Sequence, residues 1–181
     1  DACILAGAAD QVVTVRIMSV TGDLTEPLCN GAANGSIEAI ADGEAPFTYA
    51  WSNGQTAQTA TGLVAGSYSV TVTDNNGCEA SSTFNLGQPS AVGGSIQMTP
   101  ATCGNANGSA TASGSGGTPG YTYLWSEGTT GATLSGVAPG AYTVTITDAN
   151  QCTVVVPVQI SGTSAPGASA TSRSRSIRVN I

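Results

Sequence analysis

The sequence has no histidine and no lysine, and only 8% of its 181 residues are charged. Each absence removes chemistry. Without histidine, neither a Ser-His-Asp nor a Cys-His nucleophilic arrangement can be assembled from this chain, and histidine-ligated zinc is excluded. Without lysine there is no Schiff-base amine and no lysine–asparagine isopeptide staple of the kind found in some surface fibres. The eleven Asp and Glu are scattered along the chain, so carboxylate chemistry lacks a paired acid and base. The reading is therefore non-enzymatic, with no catalytic residue, no metal and no cofactor. No run of about 20 apolar residues exists, so no membrane span is expected. The first residues, DACILAGAAD, lack the basic region of a signal peptide and fit a mature N-terminus left by cleavage. A net charge of −7 sets the chain against nucleic acid, whose phosphates would repel it.

What is present is short Val/Thr/Tyr stretches punctuated by Gly and Asn, with 24 glycines and no helical periodicity. That pattern predicts an all-β sandwich or barrel.

An internal repeat organises the chain. Cys29 to Cys78 and Cys103 to Cys152 are both spans of 49 residues, and Trp51 and Trp125 each lie 22 residues after the first cysteine of their pair. Tyr49/Tyr123, Gly62/Gly136, Tyr68/Tyr142 and Asp74/Asp148 share an offset of 74, while Asn34-Gly35-Ser36 and Asn107-Gly108-Ser109 are offset by 73. Within each unit the residues read as strands. Ser36–Ala41 follows an Asn-Gly turn. Phe47–Ser52 places Phe47, Tyr49 and Trp51 on one face, and Ser67–Thr73 alternates Tyr68, Val70 and Val72 against Ser and Thr. Asp74-Asn75-Asn76-Gly77 is a hairpin turn, and Cys78–Leu86 returns as the last strand. Trp51 and Trp125 are expected as core anchors. Tyr68 and Tyr142 are expected as tyrosine corners, each hydroxyl tying its strand to the loop before it.

These residues resemble the SprB repeat, a module of very large surface adhesins in gliding bacteria. The matching segments are Cys29-Asn30-Gly31, Asn34-Gly35-Ser36, Thr48 through Gly54, and Gly62 through Cys78, with a second copy that departs at Gly104, Glu127 and Gln151. The resemblance implies two tandem immunoglobulin-like β-sandwich modules with additional strand segments at both ends, and an extracellular, cell-surface location. The expected boundaries are 1–28 for an N-terminal strand segment, 29–89 and 90–161 for the two modules, and 162–181 for a linker and C-terminal strand. The resemblance also implies a strand near the module start lying beside the last strand. With the identical spacing, that pairs Cys29 with Cys78 and Cys103 with Cys152, free buried thiols being the alternative. Cys3 is left over, facing a partner, modified or inert.

Other motifs have a plain reading beside a functional one. Asp74-Asn75-Asn76 and Asp148-Ala149-Asn150 suit hairpin turns better than calcium, which wants six or more oxygens. Asn34 and Asn107 begin glycosylation sequons but also open strands. Trp51, Trp125, Tyr121 and Tyr123 would make a sugar platform only if exposed.

All four arginines, Arg16, Arg173, Arg175 and Arg178, lie in the two end segments. Residues 172–181 alternate, with Ile177, Val179 and Ile181 on one face, after a Gly/Ser/Ala/Pro linker. A basic strand tethered to an acidic body predicts docking on a neighbour's sheet edge, and so a homopolymer assembled head to tail. The alternatives are passive spacer modules of a longer adhesin and a carbohydrate-binding module that engages glycans or other surfaces.

Overall fold

The computed structural model describes residues 2–5 and 14–163, with side chains from Ile17 onward. The described residues form strands and turns and no helix, so none is available to cross a membrane. The strands are β1 (Ala2–Leu5), β2 (Thr14–Ile17), β3 (Ser19–Thr25), β4 (Gly35–Asp42), β5 (Thr48–Trp51), β6 (Thr59–Leu63), β7 (Gly66–Thr73), β8 (Glu79–Leu86), β9 (Gly93–Thr99), β10 (Ala101–Thr102), β11 (Gly108–Ser115), β12 (Thr122–Trp125), β13 (Thr133–Val137), β14 (Gly140–Thr147), β15 (Thr153–Ile160) and β16 (Gly162–Thr163).

The repeat in sequence is a repeat in topology. The first copy builds the sheets β3-β4-β6 and β5-β7-β8, and the second builds β13-β11-β9 and β12-β14-β15. Each is a pair of three-stranded sheets, the two-layer plan of an immunoglobulin-like sandwich. β1 pairs antiparallel with β2, and β10 pairs parallel with β16.

Two features correct the sequence reading. The expected N-terminal segment 1–28 is not wholly outside the first module, because β3 pairs along its length with β4, from Ser19↔Asp42 to Thr25↔Ser36. Nor is that segment continuous up to β3: β2 ends at Ile17, and Met18 turns its side chain into the core and is 6% exposed. The short strands β6 and β13 also lie where Thr, Ser, Ala and Gly outnumber large apolar residues, with too little alternation to be legible.

By contact the chain divides into two compact units, Asp1–Gly93 with Gly114–Tyr121 and Ile146–Val154, and Gly94–Ser113 with Thr122–Thr145 and Val155–Ile181. In the first unit the core is Met18, Ile37, Ala39, Trp51, Ala60, Leu63, Val70, Val72, Cys78, Ala80 and Leu86. In the second the buried apolar residues are Ala101, Ala110, Ala112, Trp125, Leu134, Val144, Val158 and Ile160. The alternation that produced these strands explains both cores. On β7 the buried positions are Val70 and Val72, and Ser69 between Tyr68 and Val70 is exposed.

Glycine sets the entry to β4 and to β11. The register of β4 against β6 shifts between Gly35 and Ser36, and that of β11 against β13 between Gly108 and Ser109. A Cβ on Gly35 would stand 2.8 Å from Leu86 and 3.0 Å from the Leu63 carbonyl; one on Gly108 would stand 2.7 Å from Ile160 and 3.0 Å from the Val137 carbonyl. The Asn-Gly-Ser segments are therefore bulges that let the last strand's terminal Leu or Ile reach the core.

Candidate functional site

The feature of the molecule that links its two repeats is a disulfide. Cys29 is bonded to Cys152, across 123 residues, with Cα atoms 5.6 Å apart. This overturns the expected pairs Cys29–Cys78 and Cys103–Cys152. Cys103 is free and exposed, and Cys78 is disulfide-bonded, though not to Cys29.

The physical reason lies in the length of the last strand. Cys29 does sit beside β8, but at its far end: Asn30 Nδ2 donates to the Pro89 carbonyl at 3.1 Å and Gly31 N–H to Gln88 Oε1 at 2.7 Å. Cys78 precedes the first residue of β8. Eight residues of strand, about 25 Å, separate the two, and a disulfide needs Cα atoms within about 7 Å. Cys103 repeats the arrangement, its N–H donating to the Thr163 carbonyl just past the end of β15, whereas Cys152 precedes that strand. Spacing fixed which cysteines were equivalent but not which strand end each occupied.

Cys152 is presented by a tightly organised turn. Asp148 is 2% exposed, and its carboxylate accepts three backbone N–H groups: Thr118 at 2.8 Å on Oδ2, and Asn150 and Cys152, each at 2.9 Å, on Oδ1. The bond from Thr118 is the main cause that holds its pKa below the ordinary carboxylate value, with Cys152 and Asn150 adding to it and burial opposing. The turn is closed further by the Ala149 N–H to Thr118 carbonyl bond at 3.1 Å and the Gly117 N–H to Ser90 carbonyl bond at 2.9 Å. Asn150 Nδ2 then reaches the Leu28 carbonyl at 3.2 Å, beside the disulfide, and Thr118 Oγ1 at 2.9 Å.

The first repeat builds the same turn at Asp74, whose Oδ1 accepts Asn76 N–H at 2.8 Å and Cys78 N–H at 2.9 Å and whose Oδ2 accepts Glu44 N–H at 3.3 Å. In both turns the carboxylate oxygens are committed to backbone donors. This gives the Asp-x-Asn-x-Cys pattern a structural role that its spacing alone did not reveal: the aspartate is buried and shapes the loop that carries the cysteine.

Both tryptophans lie inside, and the tyrosines are half-buried. Trp51 is 4% exposed and Trp125 1% exposed. Their indole N–H groups donate to the carbonyls of Ala57 at 2.9 Å and Gly131 at 3.0 Å. Neither indole can therefore contribute to a sugar-stacking face, while Tyr121 and Tyr123 are half-buried. Tyr121 likewise turns its hydroxyl inward, to the Gly116 carbonyl at 2.6 Å, and its ring lies against Gly114. The hydroxyls of Tyr68 and Tyr142 donate to Val64 O at 3.0 Å and Ala138 O at 2.9 Å, each four residues back. The expected assembly residues Arg173, Arg175, Ile177, Arg178, Val179 and Ile181 lie outside the described residues.

No curated protein matches this chain by sequence. Among solved structures it is similar to the three N-terminal domains of the Highly Immunogenic Outer Capsid protein (Hoc) of bacteriophage RB49, at 16% identity and a TM-score of 0.53, over 81% of this chain. The chain spans 59% of that Hoc structure. It is also similar to the amphioxus IgVJ-C2 molecule, at 15% identity and a TM-score of 0.35, over 73% of this chain and 98% of that one. A third likeness is to a 282-residue C-terminal fragment of intimin, solved with the intimin-binding domain of its receptor Tir, at 11% identity and a TM-score of 0.40, over 78% of this chain and 64% of that one. The likeness to Hoc supports the fold, tandem immunoglobulin-like domains. The family model of the SprB repeat matches twice, at residues 21–56 and 95–130. Both matches begin on the first strand of a sandwich, β3 or β9, and run through its tryptophan, so the SprB-repeat signature recurs at the same place in each sandwich.

Proposed function

We propose that this chain is a non-enzymatic, extracellular structural element of a surface adhesin, built to carry tension between its ends. The observation that carries this reading is the Cys29–Cys152 bond. Force entering upstream of Cys29 and leaving downstream of Cys152 passes through one covalent bond, so residues 30–151 are bypassed, while β3 and β15, which flank the bond, still bear load. A bond of this kind persists in an oxidising compartment, which supports placement outside the cytoplasm. The SprB repeats support the surface-adhesin class.

The finer reading is a subunit of a filament. Residues 172–181 would add a strand to a neighbour's sheet edge, backbone pairing supplying affinity and the three arginines orienting the approach to an acidic body. Passive spacer modules are the competing reading.

Two experiments test this. In single-molecule extension of the oxidised protein, residues 30–151 should stay locked. Reduction should release roughly 400 Å of additional contour, at about 3.3–3.6 Å per residue. Release of that length without reductant would overturn the tension-bearing reading. Electron microscopy of the purified protein should show filaments that disappear when residues 172–181 are deleted. Monodisperse rods from the intact chain would favour the spacer.

A further inference from the structure

Head-to-tail assembly needs an acceptor edge, and the edges of this molecule are not alike. Of the eight edge strands in the four three-stranded sheets, only β3 and β8 contain a charged residue, Asp23 and Glu79. Glu79 stands at the start of its strand opposite Thr73, whose hydroxyl donates to Glu79 Oε1 at 3.4 Å. Asp23 stands within β3, opposite a second carboxylate, Glu38 of β4, and both residues are exposed. Like charges directly opposite each other on a sheet face destabilise the pairing. Gln58 Nε2 donates to Glu38 Oε1 at 3.3 Å but brings no positive charge. In the second repeat the equivalent positions, offset by 74 and 73 residues, hold Gln97 and Thr111. The opposed carboxylates therefore belong to the first repeat alone.

Among the described residues β3 pairs on one side only, with β4. Its other side is an open edge whose backbone N–H and C=O groups can template a further strand. The chain carries a matching segment: residues 172–181 contain Arg173, Arg175 and Arg178 and no acidic residue. Arg173, Arg175 and Ile177 are spaced by two, so an extended segment presents all three on one face. An antiparallel register that sets Arg175 beside Asp23 also sets Ile177 in the row of Thr21 and Ile40, an isoleucine that is 43% exposed.

We propose that the β3 edge of the first repeat is the acceptor for residues 172–181 of a second copy, with arginine neutralising the opposed Asp23 and Glu38. This rests on the filament reading above and gives it a polarity: the C-terminal segment of one copy meets the first repeat of the next. The guanidinium forks supply charge-assisted hydrogen bonds to the carboxylates, and backbone pairing supplies the remainder. Pairing of β3 with β3 of another copy is disfavoured, because it would add carboxylates to a face that already opposes two.

The test uses the full chain in two charge-reversed forms, D23R/E38R at the acceptor and R173E/R175E at the donor, followed by sedimentation velocity at low ionic strength. Retention of the Cys29–Cys152 bond in non-reducing peptide mapping reports that each has folded. Each variant alone sets like charges together and should raise the concentration needed for assembly at least about tenfold over the parent. Mixed in equal amounts, the two should assemble again, because the tail of each meets an oppositely charged edge on the other. A tail that folds back on its own first repeat gives no such rescue, and failure of the folded variants to co-assemble overturns the proposal. The neutral variant D23N/E38Q covers disturbance of the fold by the reversed charges. It should raise the assembly concentration about tenfold and remove most of its dependence on salt. If the parent forms filaments and D23N/E38Q or D23R/E38R assembles equally well, the filament reading stands and β3 is not its acceptor. Asp23 is then a charge that guards an open edge. A parent chain that stays monomeric at high concentration removes the filament reading and this interface together.

Discussion

In the first repeat the buried cross-strand pair at the sandwich centre is Ile37 opposite Ala60; in the second the same two positions hold Ala110 opposite Leu134. The large and small side chains have changed strands, and the space they fill together is conserved. Around that pair the anchors do not change: Trp51 and Trp125 are both buried with satisfied indoles, and Val70 corresponds to Val144. The rims behave differently. Cys29 is bonded and Cys103 is free, although the loops that hold them share their side chain-to-backbone hydrogen bond. Core volume is a property of each repeat alone, so two copies can satisfy it in different ways. A rim cysteine depends on what lies beyond the repeat, so equivalent positions can have different fates.

The largest effect should separate the two cysteines. Closing a loop of 123 residues stabilises the folded state by about 5 kcal/mol in the chain-entropy model. C29A should therefore lower denaturant stability by an amount of that order, and C103A should change it by less than about 0.5 kcal/mol. Equal losses in chemical denaturation would show that the loops do not differ as described.

The next effect tests the volume exchange. Ile37→Ala removes a fully buried side chain and should cost about 3 kcal/mol. Adding Ala60→Leu recreates the arrangement of the second repeat. The double variant should recover to within about 1.5 kcal/mol of the parent, as volume-conserving core swaps do. If Ala60→Leu instead adds to the loss in calorimetry, the two cores are not interchangeable and the comparison fails at its centre.

A smaller effect distinguishes the two turns. Gly117 has a φ of +57°, and a Cβ there would stand 2.3 Å from Asp148 Oδ2. G117A meets both left-handed backbone strain and a fixed carboxylate, and should cost about 2–3 kcal/mol. At the equivalent Gly43 the nearest atom is Phe47 Cε1 at 2.9 Å, the end of a side chain that can turn aside. G43A should cost about 1 kcal/mol. Thermal denaturation of the two variants gives the order directly, and a reversed order would mean that the Asp148 turn is the more yielding one.

These contrasts also show what could be read from the residues alone. The repeat, the strand alternation and the inward tryptophans were legible because side-chain period and turn chemistry are local. The register of β3 was partly hidden, because Met18 interrupts the run by facing the core. The disulfide was not legible. Identical spacing says that Cys29 and Cys103 are equivalent, but partner choice depends on which end of an eight-residue strand each occupies, and that is a property of the folded sheet. The buried aspartates lay between: Asp74 and Asp148 were visible as turn residues, but their burial and their three backbone donors were not.

The smallest effect at neutral pH, and the one with the most definite direction, belongs to Asp148. Its folded pKa is lowered, first by the hydrogen bond from Thr118 and then by those from Cys152 and Asn150. In the unfolded chain an aspartate titrates near 3.9. A depressed folded pKa means that the unfolded state takes up a proton first as the solution is acidified. The contribution of Asp148 is then fully present above about pH 5, and it is lost as the pH falls through 3.9 towards the lower folded value. The pH profile of the unfolding midpoint should therefore be flat between about 5 and 7 and turn down in acid. A side-chain amide does not ionise, so D148N should shift the neutral plateau down and flatten part of that acid decline. The difference between the two profiles isolates this group from the other carboxylates. If the profiles run parallel down to pH 3, the carboxylate does not bind its three N–H groups as an anion, and the turn that presents Cys152 to Cys29 is held by the backbone alone.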